Sequence, residues 1–265
     1  MKPVKNILFL VLVMAYLISV MGFISSKERI GHVTSLKIRI VDSSENQFVH
    51  SGEIRKMLES KKFILSGAAS KDIDLEGIEN SLLSRQIISK AEAYITEPGI
   101  LHVDIRQKTP FVRIYNKYGQ GYYLDQRGNI IPLTLNFSPF VLVVNGNISE
   151  PFRAGQTLNI FNVKHDTLPG AQKTIYDVFR LVSFIHRDKF LNSQIEQVYV
   201  NNHYEFELIP RVGSHVIELG NAENLQEKFE NLKLLYLEGF NKIGWNGYDR
   251  ISLKYKNQVV CTKIK

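Results

Sequence analysis

Ile7 to Ile24, ILFLVLVMAYLISVMGFI, is a run of eighteen residues without a charge. As an α-helix it would measure about 27 Å at ~1.5 Å per residue, close to a hydrocarbon core of ~30 Å. Such a segment ties one end of a chain to a bilayer and limits what the rest can become. A cleaved secretory leader is the competing reading, but its apolar region usually spans only ~7–15 residues. The exit here reads MGFISSKER, with no A-x-A-like cleavage site and no cysteine for lipid attachment. Residues 7–24 therefore read as a retained transmembrane helix behind a cytoplasmic tail, residues 1–6, that carries Lys2 and Lys5. Nearly everything else lies C-terminal to it, so the work of the protein is expected outside the cytoplasm.

The next stretch, residues 33–107, has a compact order of elements. LKIRIV alternates Leu36, Ile38 and Ile40 with Lys37 and Arg39, the pattern of a half-buried strand. Ser51 stands as a cap before the helical segment GEIRKMLES, and Leu75, Ile78 and Leu82 recur at helical spacing after an acidic start. IISKAEAYIT and ILHVDIR are two strands joined at Glu97-Pro98-Gly99. The order is strand, helix, helix, strand, strand.

Residues 108–265 are richer in strands. PFVRIYN, a hairpin GYYLDQRGNIIPL turning at QRGN, and PFVLVVNG come first. A helix over 171–190 places Ile175, Val178, Phe179, Val182 and Ile185 on one stripe. IEQVYV, HYEFELI and HVIELG follow as strands. A second helix has Asn221 as its expected cap, Leu225, Phe229, Leu232 and Tyr236 on one face, and Gly239 at its end. The fold class is α+β: one transmembrane helix, a βααββ module, and a strand-rich mixed β domain with two amphipathic helices.

Charge and cysteine exclude several classes. The net charge is +7, divided as +3 over residues 1–32, −1 over 33–107 and +5 over 108–265. Lys242, Arg250, Lys254, Lys256, Lys263 and Lys265 crowd the last stretch against Asp249 alone. Basic excess gathered at the two ends does not make a nucleic-acid surface, so no nucleic acid is expected as a partner. Cys261 is the single cysteine, which leaves neither an internal disulfide nor a cysteine metal cluster.

Chemistry-bearing motifs are absent. The chain has no G-x-S-x-G, P-loop, H-E-x-x-H or S-x-x-K. Its seven histidines are dispersed, and Asp72, Asp74, Glu76 and Glu79 crowd a helix start, where the macrodipole favours acids. The expectation is a protein that is not an enzyme and takes no metal or cofactor. Two alternatives stay open: a protein of envelope assembly or secretion, since the module over 33–107 resembles a POTRA domain, or a cleaved, soluble periplasmic binding protein or hydrolase. The roughly 155 residues after Arg106 include two long helices, which argues against a closing lipid-facing barrel.

The stretches PFVRIYN…GYYLDQRGNIIPL, FVLVVNG, HVIELG…LQEKFENLKLLY and DRISLKYKNQVV resemble, in this order, bacterial FtsQ/DivIB proteins. The module over 33–107 resembles a POTRA domain. Ser252 and Lys254 depart from the family, which usually has Asp and Arg there. The resemblance implies a divisome scaffold that binds small coiled-coil proteins, FtsB-like and FtsL-like, and helps to recruit or regulate the septal peptidoglycan synthase. It implies an inner-membrane, single-pass protein at the division septum, with its C-terminal domains in the periplasm. In the family the last strand makes the FtsB contact.

The segment YDRISLKYKNQVVCTKIK fits that implication. Along it Ile251, Leu253 and Tyr255 should face the core, and Arg250, Ser252, Lys254 and Lys256 should face out. QVVCTK either continues the strand beyond a bulge near Asn257-Gln258 or returns as a hairpin. An edge strand presents unpaired backbone groups, and lysines on it repel copies of itself while attracting an acidic partner. The candidate partner-binding residues are Arg250, Ser252, Lys254, Tyr255, Lys256, Asn257, Gln258, Val259, Val260, Cys261, Thr262 and Lys263. Lys254 is expected to pair with a partner carboxylate, with Tyr255 packed beside it.

Overall fold

Alternating apolar residues and a tight glycine turn build the first sheet. The computed structural model describes residues 12–17, 19, 31–63, 67–96, 98–149, 159–162, 171–245 and 247–264. Most of Ile7 to Ile24 lies outside these; residues 12–17 and 19 are helical and exposed. No described helix is long and apolar enough to cross a membrane. The chain resolves into two units. One comprises residues up to Arg39, Ser51–Ser81 and Ala91–Ile105, the other Ile40–His50, Leu82–Lys90 and Arg106–Lys265.

Strands β1 (Ser35–Ile40), β2 (Ile88–Thr96) and β3 (Ile100–Gln107) form a sheet in the order β1-β3-β2, with helices α1 (Ser51–Ser60) and α2 (Leu75–Leu83) between β1 and β2 in sequence. Ile54, Leu58, Ile78, Leu101, Val103 and Ile105 are fully buried, as the period-2 and helical spacings require. On the polar side Arg39 clasps Asp104 through two nitrogens, and the Tyr94 ring stacks on His102 at 5.0 Å. The β2–β3 turn depends on Gly99. Its φ is +94°, and a Cβ there would lie 2.1 Å from the His32 carbonyl oxygen.

The larger unit holds nine strands: β4 (Pro110–Tyr115), β5 (Gly121–Asp125), β6 (Ile130–Pro132), β7 (Leu142–Gly146), β8 (Ile195–Val200), β9 (Phe206–Pro210), β10 (Val216–Gly220), β11 (Tyr248–Ser252) and β12 (Val260–Lys263). They lie in the order β12-β11-β10-β9-β8-β7-β4-β5-β6, an open sheet with two edges. Tight turns join the antiparallel neighbours, such as the β5–β6 turn where Asp125 Oδ1 accepts from the amides of Arg127 and Asn129 at 2.8 Å. The parallel pairs β7–β8 and β10–β11 need crossovers, and helices supply them.

Between β7 and β8 run α3 (Ala171–Arg187) and α4 (Lys189–Gln194). The sequence pattern gives one helix through this stretch. Asp188 divides it, because its carboxylate caps α4 by accepting from the amides of Phe190 and Leu191 and also pairs with Lys233. Between β10 and β11 run α5 (Leu225–Leu234), a π-helical turn (Leu235–Gly239) and α6 (Phe240–Ile243). Here the structure corrects two expectations. Asn221 does not cap α5; its side-chain oxygen accepts from the Glu223 amide and the Lys228 ammonium, and Asn224 precedes the helix in a left-handed conformation. Gly239 does not end the helix either. Phe240 is fully buried and stacks on Tyr236, so the chain stays helical until Gly244, at φ +83°.

One core serves the unit. Ile175, Val178, Val182 and Ile185 of α3 and Phe229 and Leu232 of α5 join the inward residues of the sheet, from Val112 and Ile114 to Ile251 and Leu253.

Candidate partner-binding edge

The last two strands form a hairpin, which resolves the choice the sequence leaves open. β11 lies parallel to β10 with Ile217 opposite Ile251, and β12 runs antiparallel to β11 with Cys261 opposite Ile251. Asn257, at φ +58°, lies in the connection between them. β12, not β11, is therefore the edge. The backbone groups from Arg250 to Ser252, and the Leu253 amide, are already taken by the chain itself.

Which groups of β12 remain free follows from alternation. The Leu253 amide donates to the Glu218 carbonyl on β10 at 2.9 Å, so the polar backbone groups of Leu253 face β10. Successive residues of a strand turn these groups to opposite sides, so those of Arg250 and Ser252 face β12. Their register partners, Thr262 and Val260, face back toward β11. The Ile264 amide also points inward, to the Gly247 carbonyl at 3.3 Å. Cys261 and Lys263 are left with N–H and C=O directed off the sheet, and no described strand lies beyond them.

Side chains along the hairpin depart from the simple alternation at Tyr255 and Ser252, and Lys254 departs from the expected pairing. Ile251 and Leu253 are buried as expected, but Tyr255 is 54% exposed because β11 ends at Ser252 and the chain has begun to turn. Ser252 points to the outer face yet is only 7% exposed. Strands on both sides cover a side chain that small. Lys254 has a partner within the chain: its ammonium lies 2.6 Å from Glu205 Oε2. Its methylene stem passes over Gly220, where an added Cβ would come within 3.1 Å of Lys254 Cγ. The hydrogen bond to Lys254 holds the Glu205 carboxyl below its ordinary value, and the same bond raises the Lys254 ammonium.

Arg250 likewise pairs with Glu218, at 2.6 Å. The cations left over are Lys256 and Lys263, both exposed and, among the described residues, paired with no carboxylate. Asn257 offers its amide to Glu227 at 3.3 Å, and Gln258 is exposed. Val260 and Thr262 are exposed on one face of β12, while Val259 and Cys261 pack partly against the core on the other. Burial pushes the Cys261 thiol up, away from the reactive thiolate. Beside the hairpin, a hollow of about 230 Å³ is lined by Asn221, Glu227, Lys228, Tyr255 and Gln258 among others.

Behind this edge stands a feature that the sequence pattern does not reveal. His215 is 1% exposed on the approach to β10, and its Nε2 meets the Tyr236 hydroxyl at 2.6 Å. Tyr236 and Phe240 pack edge-on against its ring, and Trp245 and Tyr248 extend the cluster behind them. Burial lowers the His215 pKa and raises that of Tyr236, so the ring is neutral. Only the aromatic spacing of Tyr236, Phe240 and Trp245 hints at this cluster in the sequence; the pattern places His215 at the start of the strand HVIELG but does not mark it as buried.

The acids that crowd the start of α2 have local duties. Asp74 accepts from the Gly77 amide and Glu79 from the Ala93 amide, at 2.8 and 2.7 Å. Among the described residues no group of three histidine, cysteine or acidic side chains could hold a metal.

Residues 32–106 match the POTRA-like domain, which defines the class: an α+β protein built on a POTRA-like module and a second, strand-rich body. Residues 109–262, more than half of the chain, match the family described as FtsQ/DivIB, C-terminal related. The chain belongs to that family. Membership points to a division-associated, non-enzymatic protein. No curated protein matches the chain.

Proposed function

We propose that the protein is a single-pass scaffold of the bacterial division complex, held in the inner membrane by Ile7 to Ile24 with residues 1–6 in the cytoplasm and the rest in the periplasm at the septum. Its β12 edge accepts a strand from a small coiled-coil partner of the FtsB type, which binds together with an FtsL-like chain. Through them it recruits or regulates the septal peptidoglycan synthase. The observation that carries this reading is the outward N–H and C=O of Cys261 and Lys263 on an edge that no described strand covers. Strand addition draws affinity from such groups and specificity from alternate side chains. Val260 and Thr262 on one face and Cys261 on the other are the positions a partner strand would meet. Lys256 and Lys263 add attraction for an acidic partner, though exposed pairs contribute only ~0–1 kcal/mol each.

The test is co-purification from detergent extracts. The full chain should retain both coiled-coil partners, and a chain ending after Asn257, which lacks β12, should lose them while keeping its thermal transition. Equal retention by a folded, shortened chain would contradict the proposal.

A further inference from the structure

A groove lies in the same unit, away from the strand edge. The parallel strands β4, β7 and β8 begin at Pro110, Leu142 and Ile195, and the groove, of about 410 Å³, lies against their starting ends. Its charged lining is Arg113, Arg211 and Glu196, with the His186 imidazole beside them. Strands β9, β10 and β11 separate β8 from β12, about 19 Å at ~4.8 Å per strand. A strand added to β12 therefore leaves this groove uncovered.

Both guanidinium groups lack a carboxylate partner among the described residues. Arg113 donates to the Ser138 hydroxyl at 3.1 Å and lies over the rings of Tyr115 and Tyr123, at 4.9 and 5.5 Å. Its Nε is buried with no acceptor. Arg211 lies 5.3 Å over the ring of Phe140, and that ring is 86% exposed. A guanidinium carries five donors in a planar fork suited to carboxylates, and here the donors are mostly unused. Aromatic contacts hold each fork without neutralising it. Phe140 adds a large apolar surface fixed beside the charges.

We propose that this groove binds an extended, acidic peptide segment of a partner protein. Arg113 stands on β4 and Arg211 just beyond β9, three strand spacings apart, or about 14 Å. An extended chain covers that span in about four residues at ~3.3 Å each. The segment therefore carries two carboxylates four positions apart, one for each arginine, with an apolar residue between them against Phe140. Glu196, on the bulge of β8 between Ile195 and Gln197, disfavours an acid at the middle position.

The probe is fluorescein-labelled Gly-Glu-Ser-Leu-Ser-Glu-Gly, titrated with the full chain in detergent and read by fluorescence anisotropy. Saturable binding is expected, at least tenfold weaker when both peptide glutamates are glutamine, and weaker as salt rises. Arg211→Gln, at an exposed position, should weaken it about tenfold, and Phe140→Ser about threefold. Arg113→Gln should act like Arg211→Gln. Because that side chain is half-buried, Arg211→Gln decides the matter should the Arg113 variant fail to fold. Absence of saturable binding, equal binding of the glutamine peptide, or indifference to Arg211→Gln would each overturn the proposal. Loss of binding on removing β12 would also overturn it, by placing the peptide on the strand edge.

Discussion

The nine-stranded sheet has two edges, β6 and β12, and the chain treats them differently. β6 is three residues long, two of them buried, and ends at Pro132, which has no N–H to offer. Its approach is covered from within: Asn159 bridges Asn129, and the Ile160 amide donates to the Gly128 carbonyl at 2.9 Å. β12 has neither device. It carries no proline, its side chains stand mostly in solvent, and Cys261 and Lys263 direct their backbone groups outward. Edges are a hazard that proteins ordinarily blunt. One edge here is blunted by two separate means and the other by charge alone, in Lys256 and Lys263. The contrast supports the proposal that β12 is the edge kept available.

Making β12 resemble β6 is the sharpest way to break the comparison. Lys263→Pro or Cys261→Pro removes an outward N–H without touching a ladder bond to β11. Partner retention should fall at least tenfold, whereas Lys263→Glu, which keeps the N–H, should lower it only about threefold. Pull-down with tagged full-length variants measures both. Pro132→Thr on β6 should leave partner retention unchanged.

The next effect is on stability. Phe240 is fully buried among His215, Tyr236, Trp245 and Tyr248, directly behind β11. Phe240→Ala should cost about 3–5 kcal/mol in chemical denaturation. Partner binding should weaken with it, because β11 holds β12 in place. No core change behind β6 should affect partner binding unless the whole unit unfolds.

Acid should act on the β12 side of the sheet as well. His215 is buried neutral, so its pKa in the fold lies below the ordinary 6.5. The unfolded chain then binds the extra proton. The stability this group contributes is complete above about pH 6.5 and falls as pH drops below it, by at most ~1.4 kcal/mol per unit, until the folded value is reached. Comparing His215→Gln with the parent in urea melts at pH 7.5 and 5.5 measures this; the variant should show the shallower loss.

The smallest effect concerns Lys254. Its pair with Glu205 is half-exposed, so Lys254→Glu should cost about 1 kcal/mol or less, with some repulsion from Glu205, Glu207 and Glu218. A shift of one or two degrees in the thermal midpoint would agree with this. Partner binding should change less than in Lys263→Pro, because Lys254 already has its partner inside the chain.

Much of this architecture is legible in the sequence. Period-2 alternation places β1, β3 and β4, Gly99 and the QRGN turn mark the β2–β3 and β5–β6 hairpins, and helical spacing finds α1, α2, α3 and α5. Alternation loses its meaning where a strand stops. Tyr255 keeps the inward parity of Ile251 and Leu253, yet the strand has ended at Ser252, and nothing local in KYKNQ announces that. Pairing order is equally silent. Whether QVVCTK extends β11 or folds back onto it depends on which neighbour satisfies the same backbone groups, a question of tertiary competition. Asp188 could have been read as a cap within a helical stripe, since its side chain competes with the helix for the amides two and three residues on. The groove at Arg113, Phe140 and Arg211 joins residues far apart in sequence, and only the sheet order brings them together.

Amide hydrogen exchange at Cys261 and Lys263, measured by NMR on the full chain alone and with the proposed coiled-coil partner bound, tests the open edge most directly. A strand added to β12 should slow both amides at least tenfold while leaving the β6 edge as it was. Exchange at the same rate in a saturated complex, with new protection elsewhere, would contradict it.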